Sequence, residues 1–169
     1  LICNAITQLR DGIAYKPYFS LRYADKSHEV DVAIKAENID VIDREIDLRY
    51  ILAPYDLIIT SRATSTVGWC AMAGKPLVFL EMHDNRLSPA ARGAFDKAFF
   101  VFDALDAEFH NDLLEFLSKP FMEIFALWED KAEHRQLCID NFFGMNGGSD
   151  VSNPADHFAD NFLKKQVSD

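Results

Sequence analysis

Two apolar runs of strand length, joined by a polar loop and a short helix-forming stretch, constrain the fold of this chain more than any other feature. The first is Asp56-Leu-Ile-Ile-Thr60; the loop Ser-Arg-Ala-Thr-Ser65 follows, then Thr-Val-Gly-Trp-Cys-Ala-Met-Ala73, Gly74-Lys75-Pro76 and the second run, Leu77-Val-Phe-Leu80. A strand without polar alternation is buried on both faces, the condition of a central strand in a parallel sheet. Two such strands connected through a helix imply a right-handed βαβ unit. Gly74 is expected to stop a helix over 66–73.

The same alternation extends on both sides of this unit. The pattern predicts a short helix over 4–10, a strand over 13–16 stopped at Pro17, and a β-prone stretch over 18–23. Residues 26–36 are polar and ambiguous and read as loop with room for one turn of structure, 39–42 as a strand, and 44–52 as a helix halted before Pro54. A loop or broken helix over 88–97 leads to a further strand over 98–102. Beyond Asp103 the spacing becomes helical, with Phe109, Leu113, Phe116 and Leu117 on one face of 107–118. Phe121, Ile124, Phe125, Trp128, Ala132, Arg135, Ile139 and Phe142 then keep steps of three and four, as one helix ended by Gly144 and Gly147-Gly148. Residues 152–154 look like the cap of a last amphipathic helix running through Phe158 and Phe162. The fold expected is α/β: one domain, 1–169, with an open, doubly wound, mostly parallel, Rossmann-like sheet over 13–102 and a helical C-terminal extension over 103–169.

Composition narrows the function classes. The chain of 169 residues carries a formal charge of −10, which disfavours non-specific binding to nucleic acid or an anionic membrane surface. No window approaches the roughly 18 uninterrupted apolar residues of a membrane span. Three widely separated cysteines, Cys3, Cys70 and Cys138, fit a reducing compartment better than a disulfide scaffold. The chain begins at Leu1, without an initiator Met, and is expected to be a piece of a longer protein. Neither Gly-x-Gly-x-x-Gly nor a phosphate loop ending in Gly-Lys-Ser/Thr occurs, which removes the nicotinamide dehydrogenases and P-loop nucleotidases.

The chemistry is expected at the loop after Thr60, because ligands of open α/β sheets bind beyond the carboxyl ends of the strands. The hydroxyls of Thr64, Ser65 and Thr66 can cap the following helix, and the same N–H groups favour an anion, typically phosphate. Arg62 can add a bidentate contact to that anion; plain capping with a solvated Arg62 is the alternative. Lys16, at the end of an early strand, can neutralise a diphosphate, and Glu81, at the end of 77–80, can accept a sugar or ribose hydroxyl. Glu81, His83 and Asp84 form one local cluster without a distant partner, so no metal is expected. Cys70 is expected to be buried and inert, although a helix N-terminus can lower a thiol pKa.

The stretch Ile59-Thr-Ser-Arg-Ala-Thr-Ser-Thr-Val-Gly-Trp69, followed by Ala71-Met-Ala-Gly-Lys-Pro76 and an apolar strand, resembles the donor-binding half of GT-B glycosyltransferases. The likeness is greatest to bacterial surface-polysaccharide transferases and CDP-glycerol glycerophosphotransferases. Ile139-Asp-Asn-Phe-Phe-Gly-Met-Asn-Gly-Gly-Ser149 resembles their closing element, and Lys16-Pro17-Tyr18 stands where many carry Lys-Pro-His. Where many relatives place a Glu in mid-helix, this chain has Cys70. The resemblance implies the C-terminal, donor-nucleotide domain of a transferase, taking a nucleotide-sugar or nucleotide-polyol donor without a further cofactor or metal. It also implies a glycan or lipid-linked acceptor held by an absent N-terminal domain, in the cytoplasm or at the inner face of the membrane. Two alternatives remain open: a non-catalytic nucleotide- or phosphate-binding module, and half of a sugar-nucleotide epimerase or hydrolase.

Overall fold

The computed structural model describes residues 12–17, 28–42, 46–61, 65–84 and 86–144, without the side chains of His28 and Ser65. The helices expected over 4–10 and after 152, and the β-prone stretch 18–23, lie outside these residues. Strand β1 (Ile13–Tyr15) runs into helix α1 (His28–Lys35) and strand β2 (Ile39–Val41), and β1 and β2 pair in parallel. After a single 3-10 turn at Leu48–Tyr50 come β3 (Ile58–Thr60), α2 (Ser65–Ala71), β4 (Leu77–Glu81), α3 (Pro89–Ala98) and β5 (Phe100–Asp103). Helices α4 (Phe109–Leu117), α5 (Phe121–Asp130) and α6 (Ala132–Phe143) follow. No helix among the described residues is long and apolar enough to cross a membrane.

The α/β alternation and the parallel pairing are as expected, but among the described residues the strands form two sheets, β1-β2 and β3-β4-β5, rather than one. Adjacent parallel strands need a crossover, usually a helix. The helix expected over 44–52 is, in its described part, only the 3-10 turn. Asp47 caps that turn with extended backbone and accepts the Arg49 N–H at 3.1 Å.

Three further expectations change. Residues 28–35 are helical, not loop: Glu29 and Asp31 sit in the first turn and Lys35 in the last, each favourable to the helix dipole. Val32, Ala33 and Ala36 supply the face that packs with Ile39. Residues 89–98 form an unbroken helix, because Ser88 caps it by accepting from the Ala91 N–H at 3.3 Å and Pro89 takes the first position, where no N–H is needed. The long C-terminal helix is two helices, interrupted at Lys131, whose φ of −90° and ψ of 2° leave the helical region. Gly144 does end α6, with φ +68°.

Strand β4 is buried along its whole length between β3 and β5. Phe79 meets Phe95 of α3 edge-on at 5.4 Å, while Phe100 and Phe102 meet Phe116 of α4 at 4.6 and 5.5 Å. Phe79 lies beside Val101, so Phe100 and Phe102 point to the opposite face of the sheet. Helices therefore cover both faces, α3 and α6 on one and α4 on the other. Phe142 and Phe143 of α6 close on Phe95 at 6.5 and 6.3 Å. Trp128 of α5 stacks on Phe99 at 6.2 Å, and the Arg135 guanidinium carbon lies 3.7 Å from the Trp128 ring centroid. Fully burying one such aromatic contributes about 1.5–3 kcal/mol, so this cluster dominates the core.

Candidate functional site

Thr60, Glu81 and Asp103 end β3, β4 and β5, so the carboxyl edge of the three-stranded sheet is defined by these residues and by the connections that leave them. The connection from β3 passes through 62–64 into α2. Arg62 and Thr64 lie outside the described residues; Ser65 opens α2, and Thr66, half-buried, stands in its first turn. Lys16 directly follows β1 and thus belongs to the carboxyl end of the two-stranded sheet, not to this edge.

Glu81 is 1% exposed and tightly held. Its Oε1 accepts the Leu87 N–H at 2.7 Å, and its Oε2 pairs with Arg92 Nη1 and lies 3.7 Å from Arg86 Nη2. Arg86 makes a two-pronged contact with Asp103, Nη1 to Oδ1 at 2.6 Å and Nη2 to Oδ2 at 2.8 Å. Arg92 Nε reaches both oxygens of Asp96, at 2.8 and 3.0 Å. The hydrogen bond from Arg86 is the main reason the Asp103 carboxyl lies below its ordinary pKa of 3.8. Both oxygens of Glu81 thus serve protein donors, and what they do visibly is fix the 82–88 connection to the ends of β4 and β5. None of Arg86, Arg92 and Asp103 was singled out from sequence. The signal was an i, i+4 Arg92–Asp96 pair, meaningful only once 89–98 is known to be a helix.

Position 70 is equally definite. Cys70 is fully buried, and burial pushes its thiol up to about 11, so the helix N-terminus has not activated it. A carboxylate at this position would enter the core rather than reach a ligand. The Gly74-Lys75-Pro76 sequence also works at the other end of the sheet. Gly74 has φ +68°, Lys75 Nζ donates to the carbonyls of Ala53, at 2.6 Å, and Tyr55, and the Pro76 carbonyl accepts the Ile58 N–H at 2.9 Å. These contacts tie the entry of β3 to the entry of β4.

Beside α2, the 3-10 turn builds a second cluster absent from the expectations. The Arg49 guanidinium carbon lies 5.2 Å from the Tyr50 ring centroid and 4.9 Å from that of Trp69. Arg49 Nη2 also donates to Asp47 at 3.0 Å. Two hollows adjoin neither feature: one of about 540 Å³ against the end of α1, and a groove of about 350 Å³ between α3 and α6, lined by Ala90, Gly93, His134 and Cys138. Among the described residues no three His, Cys, Asp or Glu side chains gather as a metal site. Comparison with family models, with curated proteins and with solved structures found no match to this chain.

Proposed function

We propose that this chain is a nucleotide-binding domain. In this proposal it holds the phosphates of an activated donor at the 62–64 connection and the first turn of α2. The larger protein would be a GT-B-type transferase that moves a sugar or polyol phosphate to a cell-surface glycan in the cytoplasm or at the inner face of the membrane. The observation that carries the proposal is the parallel β3–α2–β4 unit, whose connection opens at the carboxyl edge of the sheet. Ligands of open α/β sheets bind at that edge. The first-turn N–H groups of α2 and the hydroxyl of Thr66 are suited to an anion there, and Arg62 would complement it.

A non-catalytic binding module is the second possibility, favoured by one observation: the carboxylate at the end of β4 is engaged by Leu87 and Arg92. Thermal melting against UDP, CDP, GDP and CMP tests nucleotide binding, since a ligand of the native state raises the midpoint with concentration. A saturable rise with one base, lost in Arg62→Ala or Thr66→Ala, is expected. No rise at millimolar nucleotide would refute binding, and turnover of a donor by this chain alone would refute the second possibility.

A further inference from the structure

The groove between α3 and α6 has the form of a seat for a third helix. Its α3 wall is one helical stripe, Ala90, Gly93, Ala94 and Lys97, at i, i+3, i+4 and i+7. Before Lys97 nothing on that wall is larger than a methyl group, and a Cβ added at Gly93 would meet nothing within 4 Å. On the α6 side Leu137, 53% exposed, stands beside the buried Cys138. A wall of small residues facing an apolar rim is what the side-chain ridge of another helix packs into.

Chain order supplies the occupant. Lys131 Nζ donates to the carbonyls of Asp96 and Lys97, at 2.8 and 3.3 Å, so α6 begins beside the end of α3. The 12 residues of α6 then span about 18 Å, which carries Gly144 to the opposite end of the groove. There its φ of +68° turns the chain off the helix axis. The sequence beyond Gly144 lies outside the described residues. It offers a polar, glycine-containing stretch over 145–153, about 30 Å when extended and so long enough to reverse direction. Then Ala155, Phe158, Ala159 and Phe162 repeat the spacing of the α3 wall, with Asp156 and Asp160 beside that stripe. Its large side chains complement the small ones of α3, and its acids complement Lys97 and His134 at the far end of the groove. The exposed apolar face of α5, Phe121, Met122 and Phe125, is the poorer seat, because Glu123, Glu129 and Asp130 on the same helix repel those acids. We infer that residues 154–163 dock as a helix in the α3–α6 groove of their own chain, parallel to α3 and antiparallel to α6. The inference is independent of nucleotide binding.

Hydrogen exchange of the full chain, read by peptide mass spectrometry, tests it. An isolated helix this short is marginal in water, so protection of 154–163 requires that something hold it. Its amides should exchange about ten-fold or more slowly than in a synthetic peptide of residues 150–169. Leu137→Asp should return them to the peptide's rate while β4 stays protected, which shows that the sheet is intact. Lys97→Glu should speed their exchange about three-fold, and adding Asp160→Lys should restore it. Phe158→Ala with Phe162→Ala approaches the contact from the other side, without touching the described core. It should raise hydroxyl-radical oxidation of Leu137 a few-fold over the parent. Peptide-like exchange in the parent overturns the inference, as does protection that survives Leu137→Asp in a folded chain. Unchanged oxidation of Leu137 overturns it too. Protection that disappears on dilution also overturns it, making a second copy the occupant.

Discussion

Arg92→Ala removes the principal cation from a carboxylate that has almost no access to water. Breaking a fully buried ion pair from one side costs about 3–5 kcal/mol, because the remaining charge is left without a partner. Here Arg92 is about one-third exposed, and Glu81 keeps the Leu87 N–H at 2.7 Å and Arg86 at 3.7 Å, so the expected loss is smaller, about 2–3 kcal/mol. Glu81→Gln is the milder change. The amide oxygen still accepts from Leu87, Arg92 keeps Asp96 and Arg86 keeps Asp103, so the loss is about 1 kcal/mol. In the double variant the two losses should fall short of additivity by about 1–2 kcal/mol, since a neutral amide at position 81 leaves no buried charge facing the missing arginine. Urea unfolding of the four proteins, followed by circular dichroism, supplies the free energies. If Glu81→Gln costs more than Arg92→Ala, or if the two add, the ion pair is not what holds the 82–88 connection.

Other expected outcomes follow from single contacts. Gly74→Ala places a Cβ in the left-handed region with open space around it, so backbone strain alone should cost about 1–2 kcal/mol in urea unfolding; a neutral result would show that the turn is not left-handed. Cys70 and Cys138, whose thiols burial raises to about 11, should escape iodoacetamide at neutral pH until the chain unfolds, as read by peptide mass spectrometry; rapid labelling of the native chain would contradict their burial. Asp103 has its pKa depressed by Arg86, so its stabilising effect is present above pH about 4 and is lost as pH falls below that value. Arg86→Met should therefore lose less stability than the parent between about pH 5 and pH 2, and equal slopes would refute the linkage. Cys70→Glu should lower the melting temperature sharply by burying a carboxylate in the core, whereas an unchanged midpoint would mean that position 70 is reachable by solvent.

The apolar runs at 57–59 and 77–80 were legible because a strand covered on both faces needs no polar residue, and only a parallel sheet offers that environment to two neighbouring segments. Helix α3 was obscured by Pro89, which resembles a breaker unless Ser88 is recognised as the cap that precedes it. The break at Lys131 was hidden for a different reason: one non-helical residue hardly shifts the helical phase, and the apolar spacing continues across it. Helix α1 was missed because its buried face is small, Ala33 flanked by Val32 and Ala36, which gives little hydrophobic contrast. At the carboxyl edge, sequence located Glu81 at the end of its strand but not its partners. Arg92 is 11 residues away and faces Glu81 only because β4 and α3 pack together. The aromatic–guanidinium cluster was equally invisible, since Arg49 and Trp69 are joined only through the fold.

Among the described residues, Leu117 at the end of α4 is the side chain that packs against both hydrophobic clusters, the large one around β4 and the small one of Ala33 and Ile39. Among the described residues, the hydrophobic contact that joins the two sheets runs through this side chain. Regions so joined open separately, each with its own free energy. Amide hydrogens of β1 and β2 should exchange through a sub-global opening while those of β4 wait for the whole chain to unfold. Trimming Leu117→Ala should widen that difference, giving the molecule a softer N-terminal sheet that can rearrange without disturbing the sheet that carries the candidate site.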